Sequence, residues 1–196
     1  MTEKKHDAVF KIVASLVSLT ATTICYIITQ IYNIETSFTK VLGTYVSIVL
    51  ISLVLMRFPK RFYVLALLFD FFAAALGSII NLYSSIDIYD RLVHYFSGIV
   101  LCEAGIIIVG YLFNKAKINN HRALKVTFAF FFSSSCAGFW EIYEFSADNL
   151  LGTYLQGSNL NTMGDILSGV LGALTYTVIA FSVIHFKKRT IKTTTA

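Results

Sequence analysis

Residues 92–114 read LVHYFSGIVLCEAGIIIVGYLFN, an apolar stretch in which His94 and Glu103 are the only acidic or basic side chains. A helix over these residues is long enough to cross the hydrocarbon core of a bilayer, which takes about 20 mostly apolar residues. The stretch therefore predicts a transmembrane helix.

Five other stretches have the same character, so the chain is predicted to be all-α, a polytopic membrane helix bundle with about six transmembrane helices. The six apolar segments are residues 8–34, 41–58, 62–83, 92–114, 123–148 and 163–186. A hydrophobic fraction of 56%, a charged fraction of 14% and a mean hydropathy of +0.70 lie outside the range of soluble domains. Six spans with short loops use up the 196 residues, which predicts a single integral membrane domain over residues 1–196.

The basic residues are unevenly distributed among the predicted loops. With a cytoplasmic N-terminus, 14 of the 16 Lys and Arg residues fall on the cytoplasmic side, and only Lys40 and Arg91 fall outside. Because basic residues favour cytoplasmic loops, this split predicts six spans across the cell membrane, with both termini on the cytoplasmic side. The net charge of +5 is then a topology signal. The lipid bilayer is the expected partner, and nucleic acid is not.

The fourth segment begins with an acidic residue followed by a histidine. Asp90 and His94 are four residues apart, so their side chains share a helix face. A carboxylate beside an imidazole can orient it and raise its basicity. The alternative is a helix N-cap at Asp90 and an interfacial histidine at the level of the lipid headgroups.

The fifth segment ends with three acids on one helical stripe, Glu141, Glu144 and Asp148. Acids in this arrangement repel one another unless a cation, a histidine or a proton compensates them, and acids within membrane helices typically mark functional sites. Glu141 is the deepest and is predicted to matter most. We expect His94 to lie close to Glu141 or Glu144. The alternative is that Asp148, and with it Glu144, lies in water beyond the membrane edge.

The sixth segment begins with a stripe of small residues, Gly164, Ser168 and Gly172, which lets another helix approach closely. Asp165 lies beside that stripe, so close approach would bring it toward the acids of the fifth segment. The alternative is an acid that only complements the positive end of the helix dipole.

Asp70 and Glu103 lie near the middle of their segments, where an ionised acid costs about 2.5 to 3.5 kcal/mol on insertion scales. They are expected to face inward. One interpretation is a pair of neutral acids that hydrogen-bond to each other or to the hydroxyls of residues 133–135. The other is a path for protons or cations.

Three motifs occur in order in the second half of the chain: Asp90-xxx-His94-xx-Ser-Gly, then Gly-Phe-Trp-Glu141-Ile-Tyr-Glu144-Phe, then Asn161-Thr-Met-Gly-Asp165-xxx-Ser-Gly-xx-Gly172. Together they resemble the bacterial YjdF family of inner-membrane proteins, which in turn looks like a branch of the VanZ-like superfamily. The YjdF family has no established activity, and VanZ-like proteins are associated with glycopeptide-antibiotic resistance. The resemblance implies a multi-pass protein of the bacterial cytoplasmic membrane. Asn161 stands where the pattern leads us to expect Asp.

The first functional hypothesis is a membrane-embedded enzyme that acts on a lipid or lipid-linked envelope substrate at the extracytoplasmic face. The candidate catalytic residues are His94, Glu141, Glu144, Asp165 and Asp90, with Asp90 orienting His94. The candidate metal ligands are His94, Glu141, Glu144 and Asp165, a set that suits Mg²⁺, Mn²⁺ or Zn²⁺.

Whether the chain is an enzyme at all stays open at this stage. The same acids would also serve a non-catalytic binder, or an ion- or proton-coupled transporter, of a cationic ligand. A third hypothesis is an envelope protein, linked to antibiotic resistance, whose polar groups hold its helices together.

Overall fold

A computed structural model describes the backbone of residues 2–119 and 121–194 and the side chains of residues 5–119 and 121–183, and the regular secondary structure of this part of the chain is all helical. Its α-helices are α1 (Thr2–Tyr32), α2 (Phe38–Val54), α3 (Lys60–Asp70), α4 (Leu82–Ser85), α5 (Tyr89–Lys115), α6 (Arg122–Leu151) and α7 (Asn159–Thr194). A 3₁₀ turn, Leu55–Arg57, extends α2, and a π-helical segment, Phe71–Ile79, continues α3.

Six of these helices, with their extensions, are long and apolar enough to cross a membrane, which confirms the predicted fold class. The candidate spans are Lys5–Tyr32, Phe38–Arg57, Lys60–Ile79, Tyr89–Lys115, Arg122–Leu151 and Asn159–Val183. The orientation with both termini inside stays a prediction. Its cytoplasmic set includes Lys4, Lys187, Lys188, Arg189 and Lys192, whose side chains lie outside the described residues, as does that of His185.

The end predicted for the third segment, which covers residues 62–83, was wrong. The helix stops at Ile79 because Asn81 adopts a left-handed backbone conformation, with φ of 67°, and α4 follows as a separate short helix. All six spanning helices begin earlier than hydropathy indicated, for example α1 at Thr2, α5 at Tyr89 and α7 at Asn159. Their polar first turns lower the local hydropathy without interrupting the helix.

Helix packing divides the chain into two compact units, Met1–Val93 and His94–Ala196. The division falls inside α5, which continues through it as one helix. The single membrane domain over residues 1–196 remains a prediction.

In the first unit, α1 packs against α2, α3 and the π-helical segment. Its buried face is mostly polar, while valines and isoleucines cover its exposed face. Because these side chains recur every three or four residues, they form one stripe along the helix. The buried stripe of α1 consists of Lys11, Ser15, Ser18, Thr22, Cys25 and Thr29.

Lys11 anchors the first turns of this unit. The residue is only 1% exposed. Its ammonium group donates hydrogen bonds to Asp7 Oδ2 at 2.7 Å and to the carbonyls of Met56 at 2.9 Å and Phe58 at 2.7 Å. The two carbonyls belong to the end of α2 and the turn after it, where backbone acceptors lack intrahelical partners. All three N–H donors of the lysine are used, so its role is structural.

In the second unit, α5, α6 and α7 meet at small residues. Cys102, Ala129 and Ala173 form a fully buried core cluster, one residue from each helix. A Cβ atom at Gly98 would overlap the carbonyl oxygen of Gly169, and one at Gly172 would overlap that of Tyr95. Helices α5 and α7 therefore approach each other backbone to backbone.

This approach corrects one detail of the predicted small-residue stripe. The stripe was predicted to let another helix approach through Gly164, Ser168 and Gly172; Gly172 does so against α5, and Gly169, which was not part of the stripe, does so as well. Ser168 instead donates a hydrogen bond to the Gly164 carbonyl of its own helix at 2.8 Å.

Candidate metal site

Contacts between α5 and α7 repeat every helical turn, and this repeat places His94 next to Asp165. Cys102 contacts the Ala173 carbonyl, and one turn earlier Gly98 meets Gly169. One further turn toward the helix N-termini leads to His94 and Asp165, which are 8% and 1% exposed. Their ligand atoms lie within 4.8 Å of each other.

Asp90 adds a carboxylate to this pair. It precedes His94 by one turn of the same continuous helix, so the helix itself fixes the two side chains relative to each other. Asp90, His94 and Asp165 form a group among the described residues. Each offers one potential ligand atom, and these three atoms lie within 4.8 Å of one another. His94 and Asp165 are buried, and Asp90 is half-buried.

Glu141 reaches the histidine from α6. Its carboxylate is buried, and Oε1 lies 3.9 Å from His94 Nε2. The prediction that His94 lies close to one of the α6 acids is confirmed for Glu141. This separation exceeds a direct hydrogen bond but suits two groups that act on one bound molecule.

Glu144 lies one turn beyond Glu141, at a half-buried position. Trp140 Nε1 donates a hydrogen bond to its Oε1 at 2.8 Å. Glu144 is outside the close group of Asp90, His94 and Asp165, and its predicted role as a metal ligand stays a prediction.

Asp148 organises the loop that follows α6. Its carboxylate accepts hydrogen bonds from the Thr153 hydroxyl at 2.7 Å and from the backbone N–H groups of Leu155 at 2.8 Å and Gln156 at 3.0 Å. The sequence left open whether this acid lies in water beyond the membrane edge. The glycines on either side of the bonded segment, Gly152 and Gly157, both have positive φ, and they were the available signal for a structured turn.

Asn161 has a role that sequence reasoning missed. Its amide Nδ2 donates a hydrogen bond to Asp165 Oδ2 at 2.6 Å, across one turn of α7. The amide holds the carboxylate at the position where it meets His94. The four-residue spacing of the two side chains was the signal in the sequence.

Of the two mid-membrane acids, Glu103 is hydrogen-bonded, as one interpretation proposed, but to a partner other than those named. Glu103 accepts a hydrogen bond from the Tyr176 hydroxyl at 2.5 Å. Asp70 lies within hydrogen-bonding reach of the Ser47 hydroxyl. Ser133 donates instead to the Gly98 carbonyl at 2.8 Å, where it helps to fasten α6 to α5.

One imidazole and two carboxylates form a set of ligands that divalent cations such as Zn²⁺, Mn²⁺ and Mg²⁺ accept. Two ionised carboxylates so close together repel each other, and a divalent cation would balance their charge. A metal ion therefore fits the chemistry of the group.

A family model described as "Predicted membrane protein (DUF2238)" matches residues 11–187. The chain belongs to the DUF2238 family. The match spans every candidate site residue of this DUF2238 protein, from Asp90 to Asp165. Together with the six candidate spans, it identifies a multi-pass membrane protein.

Searches of curated proteins and of solved structures gave no match. The description of the DUF2238 family states no activity. The likeness to YjdF and VanZ-like proteins stays a resemblance of three motifs.

Proposed function

We propose that this DUF2238 protein is a membrane-embedded, metal-dependent enzyme that acts on a lipid or lipid-linked envelope substrate at the extracytoplasmic face. The observation that carries the proposal is the group of Asp90, His94 and Asp165, whose ligand atoms lie within 4.8 Å of one another. Buried acids and histidines in membrane helices are costly and typically functional.

In this proposal Asp90, His94 and Asp165 hold a divalent cation. The cation supplies a Lewis acid and a bound water of lowered pKa. Asp90 thus becomes a ligand, whereas the sequence suggested that it only orients His94. Asn161 positions Asp165 through its hydrogen bond.

Glu141 is the proposed general base. Its carboxylate lies 3.9 Å from His94 Nε2, so it would be close to a metal ion that His94 helped to hold and could accept a proton there. Its burial keeps bulk water from competing for the proton. The position of Glu144 one turn further along the helix suits contact with the substrate.

The proposed substrate class follows from where the group lies. Asp90 and Asp165 are close to the N-terminal ends of two candidate spans, and the distribution of basic residues predicts that these ends face the outside. Near Glu141, Trp140 and Tyr143 are more than half exposed, and such aromatic side chains favour the headgroup level of a bilayer. A substrate with an apolar tail in the membrane and its reactive group at the headgroup level would reach the site laterally.

Glu141→Gln is expected to abolish turnover, by at least about 100-fold, while metal binding is kept. The amide preserves the shape of the side chain but cannot accept the proton. The measurement is product release from a panel of phospholipids and polyprenyl-linked phosphates by detergent-solubilised protein loaded with Zn²⁺, Mn²⁺ or Mg²⁺.

Asp87→Asn is the matched control, because it makes the same chemical change at an exposed acid, and it should keep wild-type turnover. A Glu141→Gln protein with full turnover would exclude the role of base. A wild-type protein that binds metal but turns over none of the panel would favour the alternative, a non-catalytic binder or transporter of a cationic ligand.

A further inference from the structure

The first unit contains a polar layer between its two apolar core clusters. One cluster joins Cys25 of α1 and Val41 of α2 to Ala75 of the π-helical segment. The other joins Ile48 of α2 to Leu67 of α3, with Leu19 of α1 packed against them. Buried residues between these positions on each helix therefore share one level of the unit. At that level lie the buried Thr22 on α1, the half-buried Ser47 on α2 and the buried Asp70 at the end of α3, and Ser18 lies one helical turn before Thr22 on the buried stripe of α1.

The hydroxyl groups of Ser18 and Thr22 make no hydrogen bond with any residue that the structure describes. Both are nearly or fully buried, at 8% and 0% exposure. Their neighbours on the exposed side, Thr20 and Thr23, donate to the carbonyl four residues earlier, as hydroxyls in membrane helices usually do. Two buried hydroxyls without such a bond indicate a bound species that their oxygen atoms can coordinate.

Asp70 supplies the charge of this layer. It is 7% exposed, and its Oδ2 makes no hydrogen bond within the described residues. Ser47 lies beside the carboxylate but donates its single proton to the Thr44 carbonyl at 2.8 Å. The π-helical segment begins at the next residue, Phe71, and π-helical distortions are frequent at functional sites.

The charge and the donor atoms narrow the class of ligand. All the potential ligand atoms are oxygens, from one carboxylate and two hydroxyls, and hard cations prefer oxygen ligands. Asp7, another acid of the first unit, is paired with Lys11 at 2.7 Å, and Asp70 supplies the carboxylate of the polar layer. A monovalent cation would neutralise one carboxylate, whereas a divalent cation would leave a net positive charge in the membrane interior.

We propose that Asp70, Ser18 and Thr22 form a binding site for a small monovalent cation, with Na⁺ as the probe. The site lies wholly within the first unit and does not depend on the proposed enzymatic function. Ordered water is the competing occupant, because water also satisfies buried hydroxyls.

The test is binding of radioactive Na⁺ to the detergent-purified full chain, together with its unfolding temperature in NaCl and in choline chloride of equal ionic strength. About one Na⁺ per chain and a higher unfolding temperature in NaCl are expected, because a ligand that binds the native state stabilises it. Thr22→Val keeps the shape of the side chain and removes the hydroxyl, and it should weaken Na⁺ binding about tenfold. Asp70→Asn should abolish Na⁺ binding.

Thr29→Val is the matched control, since Thr29 lies on the same buried stripe but donates to the Tyr26 carbonyl at 2.7 Å. It should bind Na⁺ as the wild type does. Equal unfolding temperatures in NaCl and choline chloride, with no bound Na⁺, would overturn the proposal and assign the layer to water. Thr22→Val binding Na⁺ as tightly as Thr29→Val would overturn it as well.

Discussion

Asp165→Asn is expected to lower the affinity for a divalent cation by at least about 100-fold. The carboxylate is 1% exposed, so water cannot readily replace it as a ligand. The neutral amide is a weaker ligand and no longer balances the charge of the cation. The measurement is calorimetric titration of detergent-purified protein with Zn²⁺ and Mn²⁺.

Glu35→Gln makes the same change of charge at an exposed acid and should leave the affinity unchanged. This control separates loss of a ligand from a general loss of negative charge. An Asp165→Asn protein with wild-type affinity would place the metal-binding residues elsewhere.

Gly172→Ala is expected to destabilise the second unit by about 1 to 3 kcal/mol or more. A Cβ atom at this position would overlap the Tyr95 carbonyl oxygen. Backbone moves less readily than a side chain, so α5 and α7 would have to separate. Because the same approach brings His94 to Asp165, metal affinity should fall together with stability. The measurement is thermal unfolding, in which the buried Cys102 thiol becomes reactive as the second unit unfolds.

Gly138→Ala on α6 is the matched control. Its Cβ would meet nothing within 4 Å, so the substitution should be neutral or stabilise the helix by up to about 1 kcal/mol. Equal unfolding temperatures for the two alanine variants would contradict the backbone-to-backbone approach of α5 and α7.

The number of apolar helices could be predicted from the sequence because length and hydropathy alone decide it. Their ends were less certain. The left-handed conformation of Asn81 is a local backbone choice that does not change the hydropathy of residues 62–83. The polar buried stripe of α1 shows the same limit, since hydropathy does not report which face of a span is buried in the protein.

The candidate site was predicted in part. The four-residue spacing placed Asp90 next to His94, and the expected closeness of His94 to Glu141 was confirmed at 3.9 Å. The meeting of His94 with Asp165 depends on the register of α5 against α7. That register is set by Gly98 and Gly169, which are far apart in the sequence. Spacing within one helix carries no such information.

The central claim of the proposal is that Asp90, His94 and Asp165 would hold a divalent metal ion. The most direct test is the metal content of the full chain, purified in detergent and measured by plasma mass spectrometry after incubation with Zn²⁺, Mn²⁺ and Mg²⁺. The proposal predicts about one divalent ion per wild-type chain and none above background in His94→Ala, because one imidazole and two carboxylates would hold the ion. A wild-type protein without bound metal, or a His94→Ala protein with as much metal as the wild type, would contradict the claim.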